Sequence, residues 1–227
     1  MKKIGMIVAV RKEIEAVLRA YGTPLSTEKR GGFEISVYRN RRYKLFVLES
    51  GIGEIGAAAA AQLLITGYGV EMVANFGVVG GLTPEMSLAK TCIVKSVVHY
   101  DMDTSPIDPV KPAQYAEFPD IYIPASEDLF RRALALEPEL VPVVCASGDK
   151  FVDTKEAKTA LREQYGADIC DMESAGIVLT CYRNRIPCIL FKIVSDSITG
   201  GADEYRRMTV ENGDVCLSVV TRIASEG

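Results

Sequence analysis

The chain has 227 residues, 48% of them hydrophobic and 25% charged, with a mean hydropathy of +0.12, which suits a single domain built on one substantial core. A formal charge of −4 and a pI of about 5.3 exclude a basic nucleic-acid footprint. No apolar run is long enough to span a membrane, and Ile4–Val10 is too short and lacks the cleavage pattern of a leader, so a soluble, cytoplasmic protein with no membrane partner is expected.

Six cysteines are spread along the chain without a CxxC pair, and His99 is the sole histidine, so neither a zinc site nor another metal is expected. The cysteines read as buried free thiols. Lys3–Val10 forms an apolar strand, followed by Ile14, Val17, Leu18 and Tyr21 at helical spacing with Val10. Glu13 falls at that strand-to-helix turn, where a carboxylate can serve a site or simply favour the helix start. Phe33–Tyr38 and Tyr43–Glu49 read as two strands joined by the polar turn 39–42.

Gly51-x-Gly53-x-x-Gly56 then opens a helix rich in alanine. The spacing matches a dinucleotide-binding fingerprint, but it is not in the first strand–helix unit, and the next strand ends in glycine instead of the acid that holds a ribose hydroxyl. Tight packing of a small-residue helix on the sheet explains the same glycines. Met72–Gly77 is read as a strand ending in a second glycine turn, Gly77-Val78-Val79-Gly80-Gly81, whose bare amides can approach a ligand.

Lys90–Val98 is another strand, and five of the ten prolines lie between Pro106 and Pro124, marking a long irregular segment suited to a lid, a binding loop or a subunit contact. Ser126 caps a helix to Leu136. Val141–Ala146 is a strand that ends in Ser147-Gly148-Asp149-Lys150-Phe151, followed by a helix from Thr154 to Gln164. Ala167–Asp171 breaks at Met172-Glu173 into an apolar helix. The run Cys188–Val194 reads as a central strand buried on both faces, with Ser195-Asp196 at its exit, where open α/β sheets collect ligands. Glu204 to Ala224 closes the chain as a helix. Strands alternating with helices give a three-layer α/β fold.

Glu13, Glu173 and Asp196 thus stand at three strand exits, with Phe151 at a fourth. In that order, the motifs Ile4-Gly5-Met6-Ile7 with Glu13, Ser50-Gly51-Ile52-Gly53, Gly77-x-x-Gly80-Gly81-Leu82, Ser147-Gly148-Asp149-x-Phe151, Met172-Glu173 and Ser195-Asp196 make the chain resemble the methylthioadenosine/S-adenosylhomocysteine nucleosidases of the nucleoside phosphorylase superfamily. The resemblance spans almost the whole length. It implies one nucleoside phosphorylase-like domain over residues 1–227, an α/β/α sandwich around a central mixed sheet, a small-molecule nucleoside substrate, no cofactor, and a role in methionine salvage.

The same resemblance implies site roles. Asp196, steadied by Ser195, is the protonated acid that serves adenine N7, and Glu13 activates the attacking water. Glu173 accepts hydrogen bonds from the ribose hydroxyls above Met172. Phe151 stacks on adenine while the Val152 backbone reads its edge. Ile52 lines the 5′-alkylthio slot, with Ile107 reaching over from the second subunit of a homodimer whose interface includes 101–122. Val78 stands where many relatives carry a small hydroxyl residue, which disfavours a phosphate site. Lys192 stands where some relatives have arginine, and a lysine can still balance Glu13 as a point charge without the bidentate geometry. The rival readings are a purine nucleoside phosphorylase, a futalosine-type nucleosidase and, from another class, a dinucleotide-binding oxidoreductase or nucleotide sensor.

Overall fold

The computed structural model describes residues 1–10, 13, 15, 19, 21–207 and 213–225. Its strands are β1 (Lys2–Val8), β2 (Ser26–Arg30), β3 (Phe33–Arg39), β4 (Tyr43–Glu49), β5 (Met72–Gly81), β6 (Thr91–His99), β7 (Ile123–Pro124), β8 (Val141–Ser147), β9 (Ile169–Asp171) and β10 (Cys188–Asp196). Its helices are α1 (Glu54–Leu63, continued by a π-helical turn over Leu64–Tyr68), α2 (Glu127–Leu136), α3 (Lys155–Tyr165), α4 (Ser174–Asn184), α5 (Ala202–Arg207) and α6 (Gly213–Ser225). Glu13, Glu15, Arg19 and Tyr21 are helical, as expected, whereas Ile14, Val17 and Leu18 lie outside the described residues. Residues 208–212 of the expected closing helix do too.

All ten of these strands join one mixed sheet. Parallel pairs link β1 to β4 and β5, and β5 to β10, while β2–β3–β4 is an antiparallel meander at one edge. The other end closes on itself, because β5 pairs with both β9 and β10, and the path β9–β8–β6–β10 returns to it. These five strands thereby form a ring, with the two-residue β7 added to it on β6. Ala57, Ala60 and Ala61 of α1 and Ile177 and Val178 of α4 bury one face of the sheet. Leu129 and Ala133 of α2, with Cys216, Val219, Val220 and Ile223 of α6, bury the other. The expected α/β layering around a mixed sheet is the architecture found.

Two sequence expectations need correction. Gly77–Gly81 is the end of β5 and no turn, since the ladder with β10 continues through Lys192↔Gly77 to Asp196↔Gly80. Its glycines serve close approach: a Cβ on Gly77 would lie 3.3 Å from Glu13 Oε1, and one on Gly80 would lie 3.0 Å from Cys170 Sγ and 3.2 Å from Asp196 Oδ2. Ser195 and Asp196 are likewise inside β10, beside a register shift between Val194 and Asp196 that re-aims the strand's last side chains. Ser126 occupies the first-cap position of α2 without a side-chain bond, while Thr154 Oγ does cap α3, accepting from the Ala157 amide at 3.2 Å.

Candidate active site

Where β1, β5, β8, β9 and β10 end, the chain encloses a cavity of about 290 Å³. Glu13, Ile52, Val78, Phe151, Val152, Met172, Glu173, Ser195 and Asp196 all line it, so these nine residues are brought to one place. Ile107 is not among the lining residues and is 83% exposed.

Glu13 is held by three backbone amides. Ala9 and Val10 donate to Oε2 at 2.8 and 3.0 Å, and Val78 donates to Oε1 at 2.9 Å. The amides come from the end of β1 and from β5, which is why a carboxylate one turn beyond β1 can be buried to 2% exposure. Burial raises its pKa, against the opposing pull of these amides and the Lys192 charge. Val78 therefore contributes its backbone N–H to the site.

Glu173 sits between β9 and α4 and accepts from the Gly53 amide at 2.9 Å. Gly53 has φ of 107°, a conformation open to glycine, and that bend turns its amide towards the carboxylate. Within the glycine-rich stretch, the Gly53 amide thus serves Glu173. Burial, reinforced by the neighbouring Asp171 charge, pushes Glu173 up to about 7.

Asp196 is 2% exposed and has two side-chain partners. Ser195 Oγ is 2.8 Å from Oδ1, and Lys158 Nζ is 2.5 Å from Oδ2. Lys158 rises from α3, is fully buried, and also donates to the carbonyls of Ser197 and Gly200 at 2.6 and 3.0 Å. Phe151 meets the edge of Tyr205 with ring centroids 5.6 Å apart, so an aromatic pair borders the cavity.

A charged layer lies behind these groups. Lys192 Nζ donates to Asp171 Oδ2 at 2.7 Å and to Asn75 Oδ1 at 2.5 Å. Its ion-pair partner is therefore Asp171, although its charge still works to lower Glu13. Burial opposes ionisation of Asp171, but the Lys192 ammonium and the Ser147 and Ser174 hydroxyls hold its pKa below the ordinary value. Glu54, at the start of α1, has one carboxyl oxygen 2.5 Å from Ser147 Oγ, whose single hydrogen goes to Asp171, so the proton of this contact is Glu54's own, while its other oxygen accepts from the Gly176 amide. Burial and the Asp171 charge push Glu54 up to about 8.

Sequence reasoning missed Lys158, Asp171, Glu54, Asn75 and Tyr205. Lys158 left a signal: with Leu161 and Tyr165 it falls on the buried stripe of α3, an uncommon place for a lysine without a carboxylate partner.

The family model described as the phosphorylase superfamily matches residues 3–226. An aminodeoxyfutalosine nucleosidase of Helicobacter pylori is 30% identical over 217 residues, covering 93% of this chain and 90% of that one. A 5′-methylthioadenosine/S-adenosylhomocysteine nucleosidase of Hydrogenovibrio crunogenus is 30% identical over 199 residues, covering 86% and 85%. Among solved structures, a 5′-methylthioadenosine/S-adenosylhomocysteine nucleosidase of Helicobacter pylori superposes with a TM-score of 0.91 at 25% identity, covering 100% of this chain and 99% of that one. Its bound compound is a pyrrolidinol carrying an aminopyrrolopyrimidine and a propynylthiomethyl group. The chain belongs to the phosphorylase superfamily, and its place among the nucleosidases makes it an N-glycosyl hydrolase.

Proposed function

We propose that the protein hydrolyses the bond between adenine N9 and ribose C1′ of 5′-methylthioadenosine, S-adenosylhomocysteine or both. The observation that carries this is the meeting of Glu13, Glu173 and Asp196 around one cavity. Cleavage builds positive charge on the sugar and negative charge on the departing base, so it needs an acid on one side and a base for water on the other. Asp196 delivers a proton to adenine N7. Glu13, with its raised pKa, takes the proton of the attacking water. Glu173 accepts the ribose hydroxyls over Met172, Phe151 stacks on the base, and the Val152 backbone reads its edge. Ile52 lines the slot for the 5′ substituent.

Water, and not phosphate, is the nucleophile. Lys150 is the only basic side chain among the described residues lining the cavity, and the Val78 amide that could face an anion is engaged by Glu13. The second reading, aminodeoxyfutalosine as substrate, is favoured by the 30% identical Helicobacter relative. Adenine release from the three 5′-substituted adenosines, with and without phosphate, decides among them. The expected result is turnover of a methylthio or homocysteinyl substrate that is indifferent to phosphate. Strict dependence on phosphate, or release from aminodeoxyfutalosine alone, overturns the reading.

The chain is further proposed to act as one domain and to pair with a second copy through the 101–122 segment. Ile52 and Phe151 at the cavity mouth are 63% and 47% exposed and Ile107 of the 101–122 segment is 83% exposed, apolar side chains that a partner would cover. Light scattering is expected to give about twice the chain mass of 24.7 kDa. A monomer at micromolar concentration removes the dimer. The six cysteines are free and buried, which suits the cytoplasm as the site of action.

A further inference from the structure

Lys158 has no part in the chemistry set out above, yet it is the side chain closest to the proposed acid. It is fully buried, and its Nζ is 2.5 Å from Asp196 Oδ2. The contact is a buried ion pair, and a carboxylate in such a pair has no proton of its own to give. Taken together, however, the two groups hold one movable proton.

Ser195 fits such a mobile proton. Its hydroxyl has a single hydrogen and two acceptors in reach, Asp196 Oδ1 at 2.8 Å and the Val79 carbonyl at 3.0 Å. It can donate to the carboxylate while Asp196 is charged, and turn to Val79 once the carboxyl carries a proton. Both states are therefore satisfied without moving the backbone. The Lys158 ammonium is held from its other sides by the carbonyls of Ser197 and Gly200, which remain acceptors for the neutral amine's N–H bonds.

We propose that Lys158 is the proton source for the departing base, acting through Asp196. This rests on Asp196 being the acid of the proposed hydrolysis. As the C1′–N9 bond breaks, its electron pair passes into the adenine ring. A proton moves from Lys158 Nζ to the Asp196 carboxylate and from there to N7, so adenine leaves neutral, Lys158 becomes an amine and Asp196 is a carboxylate again. The attacking water gives its hydroxide to C1′ and its proton to Glu13. After product release Glu13 loses that proton to solvent and Lys158 regains one, which restores the resting charges. Lys158 is thus a positioning and proton-supplying residue that does not touch the substrate.

Other titratable groups face the pair. Cys170 and Asp171 come from β9, and Glu204 and Tyr205 from α5, with Glu204 accepting from the Ser197 amide at 2.7 Å. Glu13 and Glu173 lie across the cavity. Glu13 and Glu173 set the acidic limb of a rate profile, whereas the proposal concerns the alkaline limb.

The test is the pH dependence of kcat for adenine release from methylthioadenosine, with folding checked by circular dichroism at each pH. The wild type is expected to hold its kcat from about pH 7.5 to beyond pH 9, because the paired ammonium keeps the proton in store. A wild-type decline that begins below pH 8 overturns the proposal. Lys158→Met leaves Asp196 to carry its own proton, so activity survives in acid and the alkaline limb moves down by at least about one pH unit. Lys158→Arg keeps the charge but cannot surrender a proton, and kcat is expected to fall about 100-fold at every pH while KM changes little. Arginine at wild-type rates would show that only the charge matters and would sink the relay. Asp196→Asn separates the two levels: if it is inactive while both Lys158 variants match the wild type, the relay fails and the hydrolysis stands, and if it is active, the hydrolysis reading itself fails.

Discussion

Asp196→Asn is expected to reduce adenine release by about 10²–10⁴-fold, the usual worth of one general acid. Asparagine preserves the shape and can still accept from Ser195, but it has no proton to pass to N7. Adenine must then leave with its negative charge unrelieved. The variant carries a second consequence, because Lys158 is fully buried and loses its only carboxylate partner among the described ion pairs. Stranding a buried charge typically costs about 3–5 kcal/mol, so a lower melting temperature is expected alongside the lost activity. The double variant Lys158→Met/Asp196→Asn separates these effects. It removes the stranded ammonium and should regain much of the stability while remaining inactive. Near-normal turnover by the single variant takes Asp196 out of the mechanism, and a double variant as active as the wild type does the same.

The charge behind the site explains why some of it could be read from the sequence and some could not. Glu13, Glu173 and Asp196 each follow an apolar strand, and a carboxylate at a strand exit is visible in the local pattern. Phe151 and Ile52 were marked in the same way by motifs beside strand ends. Lys158, Asn75 and Asp171 act through contacts that bridge 38, 117 and 21 positions in the chain. The buried stripe of α3 marks Lys158, but no local periodicity says which group any of the three meets, because that depends on how β10 is threaded between β5 and β6. Gly77–Gly81 misled for a related reason: glycine can mean a turn or a close neighbour, and the neighbours here, Glu13 and Asp196, come from distant segments. The layering of helices on a sheet was legible, since it follows from alternating periodicities. The closure of β5, β9, β8, β6 and β10 into a ring was not, because strand order is a tertiary property.

Buried carboxyl groups should also make the unliganded protein less stable in alkali. Glu54 has a folded-state pKa of about 8 and Glu173 of about 7, both above the ordinary value of 4.5, and Glu13 is raised as well. The folded chain therefore keeps protons that the unfolded chain releases between about pH 4.5 and 8. Their stabilising contribution is complete below that window and is lost as pH rises through it. For Glu54 the difference amounts to roughly 3–5 kcal/mol, which for a chain of this length is on the order of 10 °C in melting temperature between pH 5 and 9. Glu54→Gln tests the cause. Glutamine stays neutral at every pH and reproduces the bonds of the protonated acid, its Nε2 donating to Ser147 Oγ while its Oε1 accepts from the Gly176 amide. The variant should thus melt close to the wild type at pH 5 and above it at pH 9, with the two curves diverging as pH rises. Parallel curves would mean that Glu54 is already ionised in the folded protein, and that the short contact with Ser147 and the bond from Gly176 are holding a charge instead of a proton.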